Sequence, residues 1–115
     1  MIATQSELVI DDDVREMMTG PLKTFAYEAI DAMHCVSEKC GIPLSKILIY
    51  AQEDSDGPRR RYIQMTACYD TTSADARLLW DTFSDTLDSW IGSKNDEQID
   101  FIMTNLCTTF QWENV

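Results

Sequence analysis

The stretch that decides the fold is KILIYAQEDSDGPRRRYIQMTACY, residues Lys46–Tyr69. In both halves of this stretch, residues suited to a core alternate with others, which is the period of a β-strand with one buried face. Between the halves, Asp56-Gly57 is a common turn pair and Pro58 limits pairing beside it. The stretch therefore predicts a β-hairpin. Its core-facing residues would be Ile47, Ile49, Ala51, Ile63, Met65, Ala67 and Tyr69.

Two amphipathic segments flank the hairpin and can cover one of its faces. Pro21–Cys40 has apolar residues at helical spacing, with Pro21 at its start and Gly41 after its end, as is typical of a helix. The second helix would begin at Thr72 with a capping box to Asp75 and end at Gly92. We expect two apolar stripes to enter the core: Leu22, Phe25, Ala26, Ala29, Ile30, Met33, Val36 and Cys40 from the first helix, and Ala76, Leu79, Trp80, Phe83, Leu87, Trp90 and Ile91 from the second.

The N-terminal part of the chain carries weaker signals. Glu7–Ile10 is a short apolar run that fits either an edge strand or an arm packed on a neighbour. Asp13 and Glu16 have the spacing of a capping box, so a short helical turn could run from Asp13 to Met18.

The C-terminal part fits two patterns in succession. The apolar residues of Asp96–Asn105 recur at helical spacing, whereas Leu106–Trp112 alternates as a strand does. We therefore predict a helix followed by a strand that returns to the sheet. The fold class is α+β, with residues 1–115 as one domain. Two amphipathic helices pack on one face of a small antiparallel sheet built around the hairpin.

The charge of the chain limits its partners. Twenty Asp and Glu residues oppose nine Lys and Arg residues, for a formal net charge of −11. Such a field repels nucleic-acid phosphates and anionic membranes. A basic protein partner would instead be attracted, although acidity can also serve solubility alone. The most concentrated acidic surface lies on the second helix, where Asp81, Asp85 and Asp88 share one face.

The residues at the N-terminal end and the cysteines predict a cytoplasmic location. Residues 1–7 lack the basic and apolar regions of a secretory signal. The chain has no apolar run near the roughly 20 residues that span a bilayer. Four cysteines in such a chain are typically reduced thiols.

Catalytic and cofactor motifs are not found in the sequence. Glycine-rich phosphate-binding motifs and the GxSxG motif do not occur. His34 is the only histidine, and its neighbour Cys35 would diverge from it by about 100° on a helix, so they make a poor nucleophile pair. Asp11–Asp13 lacks the spacing of a calcium loop. We therefore expect a protein that is not an enzyme and that has no cofactor or metal.

The remaining signal is the second face of the hairpin. Leu48, Tyr50, Tyr62 and Gln64 lie there, neither clearly core nor clearly solvent. If nothing in the chain covers this face, it is an interface, and a homodimer is the commonest outcome. The first hypothesis is thus a non-enzymatic acidic protein-binding module, of the inhibitor, chaperone or immunity-protein kind. It would engage a basic protein partner, self-associate, or do both.

The alternative hypothesis is a small-ligand site between the sheet and the helices. Tyr50, Tyr62 and Cys68 would line it, and Arg59 or Arg61 from the turn would hold an anionic group. A simpler interpretation of the arginine cluster is pairing with the acidic residues of the same turn, namely Glu53, Asp54 and Asp56.

Overall fold

The computed structural model describes residues 7–53 and 61–113. In these residues the elements run in the order strand, two helices, two strands, two helices, strand. Their bounds are β1 Glu7–Ile10, α1 Asp12–Met17, α2 Gly20–Cys40, β2 Leu44–Glu53, β3 Arg61–Asp70, α3 Ala76–Gly92, α4 Asp96–Asn105 and β4 Leu106–Glu113. The predicted α+β class is confirmed, as are the central hairpin and the switch from helix to strand after Asn105. Of the two alternatives for residues 7–10, the edge strand is the one observed. The predicted turn at residues 54–60 lies outside the described residues.

The four strands form one sheet in the order β1-β2-β3-β4. β2 and β3 pair antiparallel, with Ile49 opposite Met65. The outer pairs are parallel: β1 runs with β2, and β4 runs with β3. The sheet is therefore mixed, and the expectation of a wholly antiparallel sheet is corrected. The reason is that parallel neighbours need a crossover, which α1 and α2 supply on one side and α3 and α4 on the other.

The helices pack on one face of this sheet. The buried cluster joins the expected side of the hairpin, including Ile47, Met65 and Tyr69, to buried residues of all four helices. The strand residues of the opposite side are not part of this cluster. Burying one sheet face against amphipathic helices is the main stabilising term for a fold of this class.

The end of α2 agrees with the prediction, and the start of α4 has a cap of its own. Gly41 ends α2 in the left-handed conformation (φ 69°), and its amide donates to the Ser37 carbonyl over 2.9 Å. Asn95 and Gln98 form a reciprocal capping box at the start of α4, with bonds of 2.9 and 3.0 Å.

Two predicted helix starts are wrong. α3 begins at Ala76, and Asp75 makes no side-chain capping bond, because a backbone bond from Asp75 to Thr72 closes a turn there instead. α1 begins at Asp12, with Asp11 as its N-cap, and it too lacks a side-chain cap.

Tyr69 ties the sheet to both main helices. Its hydroxyl donates to the carbonyl of Met33 on α2 over 2.9 Å, and its ring meets Phe83 of α3 and Phe110 of β4 edge-on, each at 6.4 Å. The residue is 1% exposed. Burial raises the pKa of its phenol well above the ordinary value, so the hydroxyl stays a hydrogen-bond donor.

Glu28 ties α2 to the end of α3. Its carboxylate accepts a 2.9 Å hydrogen bond from the Trp90 indole and pairs with the Lys94 ammonium, which lies 5.5 Å from the centre of the Phe25 ring. The hydrogen bond that Lys94 donates, together with the one that Trp90 donates, lowers the pKa of Glu28 below its ordinary 4.5. The charged carboxylate is therefore favoured in the folded state.

We expect Tyr69→Phe to lower the free energy of unfolding by about 1–2 kcal/mol, because a buried hydrogen bond is lost while the ring packing stays. Tyr27→Phe is the control, since Tyr27 is 44% exposed, and it should change little. Urea unfolding measures both. Equal effects in the two variants would contradict the role given to the Tyr69 hydroxyl.

We expect the stabilising effect of Glu28 to depend on pH. Its folded pKa lies below 4.5, so its contribution is present above 4.5 and is lost as the pH falls through the folded pKa. Glu28→Gln should therefore be less stable than the wild type at neutral pH, and this difference should shrink below pH 4.5. A pH series of urea unfolding checks this, with Glu16→Gln at an exposed position of α1 as control. A constant difference would contradict it.

Candidate functional site

The acidic face of α3 consists of Asp81, Asp85 and Asp88. All three residues are exposed, because Leu79, Phe83 and Leu87 turn the opposite side of the helix into the core. The predicted shared face is therefore present. In the described residues, no lysine or arginine forms an ion pair with these three carboxylates.

The ion pairs that do form involve carboxylates elsewhere. Arg15 approaches Asp12 and Arg61 approaches Asp13, each at 3.7 Å, and Lys94 pairs with Glu28. The basic side chains of the described ion pairs thus compensate negative charges on α1 and α2. Lys39 of α2 reaches α3 but donates to the Thr86 hydroxyl over 3.3 Å, and Arg77 lines the same groove as Asp81 without an ion pair to it.

The open face is the side of the sheet opposite the helices. Strand register places Leu48 opposite Thr66, and Tyr50 opposite Gln64, with Tyr62 opposite Gln52. The outer strands extend this surface on both sides. Its central residues are Val9, Lys46, Leu48, Tyr50, Gln52, Tyr62, Gln64, Thr66, Cys68, Cys107, Thr109 and Gln111.

Burial on the open face is uneven. Leu48, Tyr50, Tyr62 and Gln64 are half-buried. Cys68, near the carboxyl end of β3, is 5% exposed, and the Gln111 side chain donates to its sulfur over 3.1 Å. This face therefore has its larger apolar side chains, Val9, Leu48 and Tyr50, on β1 and β2, and mostly polar side chains on β3 and β4.

The residues expected to bind a small ligand do not come together. Arg61 and Cys68 are seven positions apart on β3, about 23 Å along an extended strand. They also point to opposite sides of the sheet, since Arg61 contacts Asp13 of α1 while Cys68 lies on the open face. Arg59 and two of the turn carboxylates, Asp54 and Asp56, lie outside the described residues, whereas Glu53 ends β2 opposite Arg61. Ligand binding by these residues stays an untested prediction.

The reactive side chains are dispersed. All four cysteines are free: Cys107 is exposed, Cys35 and Cys40 are half-buried, and Cys68 is buried. Cys40 donates to the Val36 carbonyl over 3.0 Å, and His34 is half-buried on the same helix. Across residues 7–53 and 61–113, no three His, Cys, Asp or Glu side chains are placed to hold a metal ion.

Two grooves that the sequence did not indicate lie beside β4. The first, of about 400 Å³, is lined by Ala76, Arg77, Trp80, Asp81, Phe110 and Trp112. The second, of about 300 Å³, lies near the start of β4 and is lined by residues that include Trp90, Met103 and Leu106. Both grooves combine residues of β4 with residues of α3 or α4 that are distant in sequence, so residue spacing alone does not indicate them.

Trp80 corrects the expected core of α3. The residue is 61% exposed, although it was placed in the apolar stripe. It lies one position after buried Leu79, about 100° around the helix, so its indole reaches over the edge of the sheet. There it meets the Phe110 ring edge-on at 5.7 Å, and the tryptophan forms one wall of the first groove.

Comparisons with known proteins add no relative. No protein-family model, no curated protein and no solved structure matches the chain. Among the helices of the described residues, none combines the length and apolarity needed to cross a membrane.

We expect thiol labelling to follow the burial of the cysteines. At low protein concentration Cys107 should react first and Cys68 last, because the first is exposed and the second is buried beside Gln111. Mass spectrometry of peptides after brief treatment with a maleimide measures the order, and the urea-unfolded chain is the control. Equal rates for the two thiols in the folded protein would contradict the burial of Cys68 on the open face.

Proposed function

We propose that the protein is a non-enzymatic binding module that engages a basic protein partner through the acidic face of α3, and that it acts as a homodimer. The observation that supports a basic protein partner is that Asp81, Asp85 and Asp88 are exposed and form no ion pair with a described lysine or arginine. Their carboxylates retain their full capacity to accept charge-assisted hydrogen bonds.

The geometry of α3 suits such a partner. The three residues cover two helical turns, about 10 Å along the axis, on a helix anchored by buried Phe83 and Leu87. Like charges at these spacings repel one another slightly, and a basic partner would remove this repulsion. The net charge of −11 would also steer that partner during diffusional encounter.

The homodimer is supported by the apolar surface that the helices leave uncovered. Half-buried Leu48, Tyr50 and Tyr62 and the grooves beside β4 offer surface that a second copy could bury. The proposal retains a cytoplasmic location, because the four cysteines are free. It includes neither a nucleic acid nor a membrane surface as partner, because the acidic charge repels both.

We expect the triple variant Asp81→Asn, Asp85→Asn, Asp88→Asn to capture its protein partner from a lysate about tenfold more slowly than the wild type at low salt. The matched control, Glu16→Gln, Glu38→Gln, Asp100→Asn, removes the same charge at exposed positions elsewhere. It should retain most of the association rate.

The measurement is the association rate of the captured partner, at low salt and at high salt. The wild-type rate should fall as salt rises, because screening weakens steering between exposed charges. Equal losses in the two triple variants, or capture that does not change with salt, would contradict a role for the acidic face of α3.

A further inference from the structure

The outer edge of β4 is an unprotected strand edge. In the described part of the chain, β4 pairs with β3 on one side and with no strand on the other. Its eight residues are regular, and Leu106–Trp112 contains no charge and no proline. Protein sheets usually protect such an edge with lysine, proline, a bulge or a short strand. None of these devices is present here.

The opposite edge of the sheet is different. β1 has four residues, and Asp11, Asp12 and Asp13 follow it directly. A short strand next to three carboxylates is a poor template for pairing. The two halves of the fold have the same order of elements, yet only the β4 edge is long and neutral.

The composition of β4 is complementary to itself. If two copies pair antiparallel with Thr109 opposite Thr109, Thr108 of one copy lies opposite Phe110 of the other, and Cys107 lies opposite Gln111. Thr–Thr and aromatic–β-branched pairs are favourable across strands. Glu113 would lie opposite Asn105, so no charge faces a like charge.

The grooves beside β4 supply the second element of the interface. Six large hydrophobic side chains are exposed in the described residues, and three of them, Trp80, Met103 and Trp112, lie along β4. In the same register, Trp112 of one copy lies opposite Leu106 of the other. Leu106 lines the second groove together with Met103. In each copy, Trp112 at the end of β4 therefore meets the second groove at the start of β4 in the other copy. The two-fold symmetry produces this contact twice.

We propose that two copies of the chain pair through β4 in antiparallel orientation, centred on Thr109, and so join their sheets into one of eight strands. The occupant is a second copy because the edge is neutral and self-complementary, whereas the rest of the surface is strongly acidic. This inference rests on the proposed homodimer and names its surface. It leaves the open face and most of the acidic face of α3 free.

The charge of the chain gives this dimer a distinctive salt dependence. Each copy carries a net charge of −11, and Asp81 lines the groove next to β4. The strand edge Leu106–Trp112 has no charge to lose by screening, and the charged residues that line the grooves, Arg77 and Asp81, have opposite signs. Salt should therefore strengthen the dimer, which is the opposite of its effect on a basic partner.

The first test is the oligomeric mass of the full chain by sedimentation, at low and high salt. Thr109→Glu places two carboxylates opposite each other at the symmetry axis, and it should weaken the dimer at least about tenfold. Thr24→Glu adds the same charge at an exposed position of α2 and should leave the dimer intact. Circular dichroism of Thr109→Glu confirms that the monomer is folded.

The second test fixes the register without relying on a weakened variant. In a Cys107→Ser background, Thr109→Cys should form a disulfide-linked dimer under mild copper-catalysed air oxidation. Glu113→Cys in the same background should not, since its symmetry mate would be eight residues further along the strand, about 26 Å away. The background alone controls for the other thiols.

The outcomes separate this inference from the proposed function. A wild-type protein that stays monomeric at every concentration and salt overturns the homodimer and this inference together, while the acidic face of α3 keeps its own test. A dimer that persists in Thr109→Glu, or one that does not crosslink through residue 109, overturns the β4 pairing and leaves the homodimer standing.

Discussion

The antiparallel pairing of β2 with β3 is the constraint on which the rest of the structure depends. It places the two β-α-α-β halves of the chain side by side, so β1 and β4 become the outer strands. Each outer strand runs parallel to its neighbour, which requires the helices as crossovers. Because both crossovers pass over the same face, one face is buried and the other is left without a helix.

Tyr69 shows how closely the buried face is coupled. One side chain joins β3 to α2 by its hydroxyl and to α3 and β4 by its ring. Glu28 performs a related role near the surface, where Trp90 and Lys94 converge on a single carboxylate. These contacts hold α2 and α3 in a fixed relation to the sheet, and they also position the acidic face of α3 and the edge of β4 on rigid elements.

The helices and strands of the fold could be predicted from the sequence. Most contacts between them could not. Alternation at Ile47–Tyr69 and the stripes of α2 and α3 carry a strong periodic signal. The parallel direction of β1 and β4 did not follow from periodicity, because the same alternation fits either direction. The exposure of Trp80 does not follow from helical spacing. Whether this position of the stripe is covered depends on where the edge of the sheet lies beneath α3. Asp81, Asp85 and Asp88 could be placed on one face because helical spacing alone decides that. The grooves beside β4 need the tertiary arrangement of three elements.

Two surfaces of contrasting character thus remain on a one-sided fold: a charged helix face and a neutral strand edge. Amide hydrogen exchange at β4, followed across a dilution series, tests the account most directly. If the strand edge pairs with a second copy, alternate amides of Leu106–Trp112 should exchange slowly in concentrated protein and quickly on dilution. The amides of the central hairpin should remain slow throughout. If those alternate amides exchange fast at every concentration, while the amides bonded to β3 stay slow, the account is contradicted.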